Sequence, residues 1–74
     1  MSVDDKYKVI LEQVSKELET VRKKRGMTQK DVAYACEMEE QNYRRVEKGL
    51  TNPTLKSLVR ICFVLEIEIN DLFQ

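Results

Sequence analysis

The positions of the residues that interrupt helices limit the fold of this chain more than any other feature. Its 74 residues include only two glycines and one proline, at Gly26, Gly49 and Pro53. In the segments between them, apolar residues recur every three or four positions and do not alternate, which is typical of amphipathic α-helices and not of strands. A chain of this length forms one small domain. We therefore predict an all-α domain of helices joined by short connections.

The first helix is predicted to begin after Ser2 and to end before Gly26. Ser2 and Asp5 have the spacing of a capping box. The cations at residues 22–25 suit the negative end of the helix dipole, and Gly26 suits the left-handed turn that follows a helix. A single apolar stripe along this helix is formed by Tyr7, Leu11, Val14, Leu18 and Val21.

Two further helices, with a three-residue turn between them, are predicted next. Thr28 and Asp31 again have capping-box spacing, and this second helix is expected to end near Cys36. The turn Glu-Met-Glu follows, and its last residue, Glu39, is the expected cap of a third helix over residues 40–48. A helix, a tight turn and a second helix in this order form the helix-turn-helix motif.

The outward face of the third helix carries side chains that hydrogen bond to the edges of bases. Tyr43 and Val46 are predicted to point inward. The outward positions, related by steps of four residues, are Glu40, Gln41, Arg44, Arg45 and Lys48. Arginine reads guanine, glutamine reads adenine, and glutamate accepts a hydrogen bond from cytosine. The third helix is therefore the candidate DNA-reading element.

The rest of the chain predicts two more helices. After the loop that contains Pro53, Thr54 is the expected cap of a fourth helix, whose largely apolar sequence suits a central position. A second turn of acid, apolar residue and acid, residues 66–68, then precedes a short last helix over residues 69–73. This last helix is expected to cover the core as a lid.

Charge is distributed unevenly along the chain, although 13 basic and 13 acidic residues give a formal net charge of zero. Counting Lys and Arg against Asp and Glu gives −2 over residues 1–21, +5 over residues 22–60 and −3 over residues 61–74. The basic segment coincides with the predicted helix-turn-helix. A nucleic-acid partner is therefore consistent with the zero net charge.

The composition argues against several functional classes. The chain has no histidine, the commonest general base and metal ligand. Cys36 and Cys62 lack the spacing of a zinc site and are expected to be buried and reduced. We expect no cofactor, no metal, no small-molecule ligand and no enzymatic activity. No apolar run approaches the roughly 20 residues of a membrane span, and the acidic start does not resemble a signal peptide, so a cytoplasmic location is predicted.

One ordered, ungapped set of residues matches a known pattern: Leu18, Arg22, Gly26, Thr28-Gln29, Val32-Ala33, Val46-Glu47-Lys48-Gly49, Asn52-Pro53-Thr54-Leu55, Leu58, Ile61 and Asn70-Asp71-Leu72-Phe73. This stretch resembles the lambda-repressor-like helix-turn-helix family, of the Cro or xenobiotic-response-element type. The resemblance implies a five-helix DNA-binding domain with an N-terminally extended first helix. Residues 1–17 are then the extension and residues 18–74 the helix-turn-helix domain.

The resemblance also implies where DNA is contacted. It places the third helix in the major groove, with Gln41 and Arg45 as the first candidates for base contact and Glu40 and Arg44 as the next. Instead of contacting bases, Glu40 and Arg44 could form an ion pair with each other. The alternative to base contact for Gln41 and Arg45 is an ordinary solvated helix face. Candidates for contact with the phosphate backbone, the lysines being otherwise plain surface charges, are Thr28, Gln29, Lys23, Lys24, Lys30, Lys48 and Lys56.

A further implication is an internal ion pair between Arg22 and Glu47, the alternative being two separate surface charges. The sequence departs from the family where Glu37 and Glu66 stand in place of glycine. A left-handed backbone there costs a residue other than glycine roughly 1 kcal/mol. Glu39 likewise stands where a Ser or Thr cap is usual, and its charge suits the N-terminus of a helix.

The expected function is that of a sequence-specific regulator of transcription that binds double-stranded DNA. It is expected to act as a homodimeric repressor that occupies a palindromic operator. The alternative is a protein-interaction module, antitoxin-like or an adaptor, which the acids around residues 37–40 favour. The first 13 residues pack either against the last helix of the same chain or against a second copy, and the sequence leaves both open.

Overall fold

The computed structural model describes residues 1–73 and is helical, with no strand in that range. Its elements are α1 (Val3–Lys24), α2 (Gln29–Ala35), α3 (Glu40–Glu47), α4 (Leu55–Leu65) and a C-terminal 3-10 helix (Ile69–Phe73). The all-α prediction is confirmed, but the expected five helices are four α-helices and one 3-10 helix. This last segment is only five residues long, and its backbone N–H of Asp71 donates to the carbonyl of Glu68, three residues earlier, at 2.9 Å. Hydrogen bonds with this spacing define the tighter 3-10 helix, which is common in short segments. Gln74, the last residue of the predicted domain, lies outside the described residues.

Side-chain caps start three of the four α-helices as the sequence predicts. The hydroxyl of Ser2 accepts from the backbone N–H of Asp5 at 3.1 Å. Thr28 and Asp31 form a reciprocal capping box at 3.0 and 2.9 Å. The hydroxyl of Thr54 accepts from the N–H of Ser57 at 3.0 Å. Glu39 occupies the N-cap position of α3 but makes no side-chain hydrogen bond there.

The core lies where α1, α2, α3, α4 and the 3-10 helix meet. Its fully buried large side chains are Leu18, Val32, Tyr43, Ile61, Leu65 and Leu72. The apolar stripe of α1 contributes to this core only from its middle onward, since Val14 and Leu18 are buried whereas Tyr7 is 41% exposed. Residues 1–9 are all exposed. The first two turns of the extension therefore bury little surface against this chain, the last helix included.

Two turns place a glutamate in the left-handed region. Glu37 follows Cys36, the C-cap of α2, and has φ 58°. Glu66 is the C-cap of α4 and has φ 57°. Both positions were expected to need this conformation. They direct the chain back across the core so that α3 and the 3-10 helix pack on α1. No helix within residues 1–73 is long and apolar enough to cross a membrane.

Candidate nucleic-acid interface

A buried ion pair fixes the end of α3 to the end of α1. Arg22 donates from Nε to Glu47 Oε2 and from Nη2 to Glu47 Oε1, both at 2.8 Å, and from Nη1 to the carbonyl of Met27 at 2.9 Å. The two side chains are only 10% and 1% exposed. The structure thus brings Arg22 and Glu47 together in a bidentate pair, the strongest geometry for these two groups.

Both members of this pair remain charged because the hydrogen bonds between them compensate for the loss of water on burial. Burial disfavours the charged carboxylate and is the largest single influence on it. The hydrogen bonds that the carboxylate accepts, first from Arg22 and also from Gln29, act together with the charge of Arg22 and the neighbouring Tyr43 to hold the pKa of Glu47 below its usual value of 4.5. The hydrogen bond to Glu47 correspondingly raises the pKa of Arg22. Removal of either side chain would leave an uncompensated buried charge.

The pair continues into a chain of hydrogen bonds across three helices. Gln29, the first residue of α2, donates from Nε2 to Glu47 Oε1 at 3.2 Å. Its Oε1 accepts from Arg44 Nε at 3.2 Å, and Arg44 Nη2 donates to Glu40 Oε2 at 2.6 Å. We call this set, from Arg22 through Glu47, Gln29 and Arg44 to Glu40, the polar chain. It fixes the orientation of α3 relative to α1 and α2.

The polar chain divides the four predicted base-reading residues into two pairs. Glu40 and Arg44 form an i, i+4 ion pair, and Arg44 is also bound to Gln29. Gln41 and Arg45 are exposed and make no side-chain hydrogen bond or ion pair within residues 1–73. They also lie four residues apart, on one side of α3. Of the four predicted base-reading residues, Gln41 and Arg45 are therefore the two whose side-chain hydrogen-bonding groups are available in the free protein.

Asn42 is a polar residue of α3 that the sequence prediction omitted. It is exposed and lies with Arg45 in a groove whose other wall is the α3–α4 loop and the start of α4, including Asn52 and Ser57. Its residue type could have identified it as a base-reading candidate, because asparagine, like glutamine, hydrogen bonds to the edge of adenine. Its position three residues before Arg45 places both side chains along the same edge of the helix.

The predicted backbone-contacting residues differ in how free they are. Both polar groups of Thr28, its hydroxyl and its N–H, are used in the capping box, and the side-chain amide of Gln29 belongs to the polar chain. Lys23 lies 3.8 Å from Glu19 in an exposed ion pair. The remaining lysines are exposed and without an ion-pair partner in the described part of the chain: Lys24, Lys30, Lys48 and Lys56.

Comparisons with known proteins agree with this architecture. A family model described as Helix-turn-helix matches residues 18–72. The fold is that of the clp gene regulator ClgR from Corynebacterium glutamicum, at 21% identity and a TM-score of 0.80 over 85% of this chain and 67% of that one. A comparison with the curated proteins found no match.

Two restriction-modification controller proteins are also similar in structure. C.AhdI from Aeromonas hydrophila is 25% identical, with a TM-score of 0.80 over 85% of this chain and 96% of that one. A point mutant of C.Esp1396I is 33% identical, with a TM-score of 0.78 over 86% of this chain and 81% of that one. The chain therefore belongs to the Cro/C1-type helix-turn-helix family of DNA-binding transcriptional regulators.

Proposed function

We propose that this chain is a sequence-specific regulator that binds a palindromic double-stranded operator as a homodimer and represses by occupying it. The observation that carries the proposal is the pair of free, exposed side chains, Gln41 and Arg45, on a helix held in place by a buried ion pair. Because the helix that carries them is already fixed, little backbone freedom is lost on binding, which favours recognition. The similarity to two controller proteins of restriction-modification systems supports a regulatory role.

Each part of the surface has a defined role in this proposal. Arg45 reads guanine through O6 and N7, and Gln41 reads adenine through N6 and N7. Glu40 and Arg44 keep α3 in register through the polar chain, and they contact DNA only at the cost of their own ion pair. The phosphate contacts come from Lys24, Lys30, Lys48 and Lys56. One such domain covers a modest DNA interface, so a second copy on a palindrome supplies affinity and specificity.

In vitro selection from a randomised DNA pool, at moderate salt, tests the proposal. We expect the wild-type protein to enrich a palindromic sequence. Arg45→Ala should then relax the preference at one position of each half-site, with a loss of about 1–3 kcal/mol for the preferred base. The matched control is Arg25→Ala, which removes the same charge from a residue that pairs with Glu66. A pool without enrichment, or equal effects of the two substitutions, would overturn the proposal.

A protein-interaction module is the second candidate, because three acids cluster at the start of α3. Glu37 and Glu39 are exposed there, beside Glu40. Acids near phosphates weaken nonspecific DNA affinity. The two candidates differ in the salt dependence of binding to duplex DNA, since several phosphate contacts give a steep slope. Binding that is undetectable even at low salt would favour the interaction module.

A further inference from the structure

An apolar stripe on α4 faces solvent. Leu55, Val59 and Phe63 are spaced by four residues and are 69%, 50% and 83% exposed. The opposite face of the same helix supplies Ile61 and Leu65 to the core, where both are fully buried. The helix is therefore apolar on two faces, and residues 1–73 cover only one of them. We call Leu55, Val59 and Phe63 the α4 stripe.

The α4 stripe borders a shallow apolar groove between α4 and the end of α2. Ala35 and Cys36 of α2 form one wall, and Val59, Phe63 and Val64 of α4 form the other. A contiguous patch of large apolar side chains is uncommon on a protein that stays monomeric and is typical of an interaction surface.

Two opposite charges lie in the same groove. Glu37 and Arg60 both line it, and neither has an ion-pair partner within 4.0 Å in residues 1–73. In a two-fold interface, residue i of one copy meets residue j of the other, and j meets i. A second copy docked with each Arg60 opposite the Glu37 of its partner would therefore pair both charges in each copy. The patch is therefore complementary to itself in charge as well as in polarity.

We propose that the α4 stripe and its groove form the homodimer interface of this protein. The proposal deepens the dimeric form of the proposed function and identifies its contact surface. A standard interface buries about 800 Å² per partner, which is about a seventh of the 5375 Å² accessible surface of this chain. Phe63 is the central anchor, and Glu37 and Arg60 fix the relative orientation of the copies. The exposed N-terminal extension is the competing surface.

Sedimentation equilibrium of the full chain without DNA tests this interface. We expect a wild-type dimer and a dimer Kd at least about tenfold higher for Phe63→Glu and for Arg60→Glu. Combining Arg60→Glu with Glu37→Arg should restore much of the lost association, because the pair is then reversed. Val9→Glu, at a 52% exposed residue of the extension, is the control and should leave the Kd unchanged. Circular dichroism checks that every variant is folded.

Several outcomes would overturn the interface. These are a wild-type monomer at all concentrations, a Phe63→Glu protein that dimerises like the wild type, and a Val9→Glu protein that dissociates instead. Titration of duplex DNA with the same proteins separates this result from the proposed function. If Phe63→Glu is monomeric and no variant binds DNA, the interface stands and the DNA-binding function fails. If DNA is bound but Phe63→Glu still dimerises, only the interface fails.

Discussion

Glu47 remains charged in a buried position because Arg22 and Gln29 donate hydrogen bonds to it. Its folded pKa lies below the usual 4.5, so folding favours the deprotonated form. The stability from this group is present above the unfolded pKa and is lost as the pH falls through the folded pKa. We predict that Glu47→Gln, although less stable at neutral pH, loses less unfolding free energy than the wild type between about pH 5 and pH 3, measured in urea.

Two comparisons make this pH test specific to Glu47. Asp31 also has a lowered pKa, through the hydrogen bond from the backbone of Thr28, but it is present in both proteins and its contribution cancels. Glu39→Gln alters an exposed glutamate at the start of the same helix and should follow the wild-type curve. Parallel curves for Glu47→Gln and the wild type would contradict the prediction.

Tyr43 places a hydroxyl in the core without a hydrogen-bond partner in the described part of the chain. Burial, and then the interaction with the neighbouring carboxylate of Glu47, raise the pKa of this phenol. A buried polar group without a partner destabilises the fold, so we predict that Tyr43→Phe is as stable as the wild type or up to about 1 kcal/mol more stable. Tyr43→Ala, which also removes the ring, should lose about 3–5 kcal/mol in the same urea experiment. A clear loss in the Phe variant would show that the hydroxyl bonds to Glu47.

At the scale of the elements, the beginning of α1 projects from the domain. Residues 1–9 are exposed, whereas Leu18 of the same helix is fully buried. Deletion of residues 1–9 removes one cap and little buried surface, so we expect a loss of at most about 1 kcal/mol in unfolding free energy. Leu18→Ala, the reference for a core change in this helix, should lose about 2–5 kcal/mol. Similar losses in the two proteins would show that the extension packs on the domain.

The helices and their caps follow from local sequence, which explains why they were predictable. Thr28 and Asp31, for example, are three residues apart, and their spacing alone specifies the capping box. Which residues cover a face is not local information. The stripe that includes Tyr7 predicts an apolar surface, but it does not show which residues pack on that surface. The hydrogen bond from Arg44 to Gln29 joins two different helices, so the spacing within either helix does not predict it. The alternatives for Glu40 and Arg44 therefore stayed open until the fold was known.

At the scale of the whole molecule, the zero net charge conceals a basic segment between two acidic ends. Lys30 lies near the start of α2, and Arg25 pairs with Glu66 at the acidic end of the chain. If Lys30 contacts a phosphate, Lys30→Ala should reduce the slope of log affinity against log salt by about one and should weaken all DNA sequences alike. Arg25→Ala should leave the slope unchanged. A slope that falls equally in both variants would assign the effect to overall charge instead.

The polar chain also determines which positions of α3 are free to vary. Arg44 is bound to Gln29 of α2 and to Glu40, so a new side chain at position 44 removes the link between α3 and α2, and one at position 40 removes the partner that holds Arg44. Gln41 and Arg45 are exposed and contribute nothing to that packing. If they read the operator as proposed, we expect that exchanging them redirects the protein to another operator without compensating substitutions elsewhere. Under the proposed function, a change of specificity in this protein therefore leaves intact the side chains that hold its helices together.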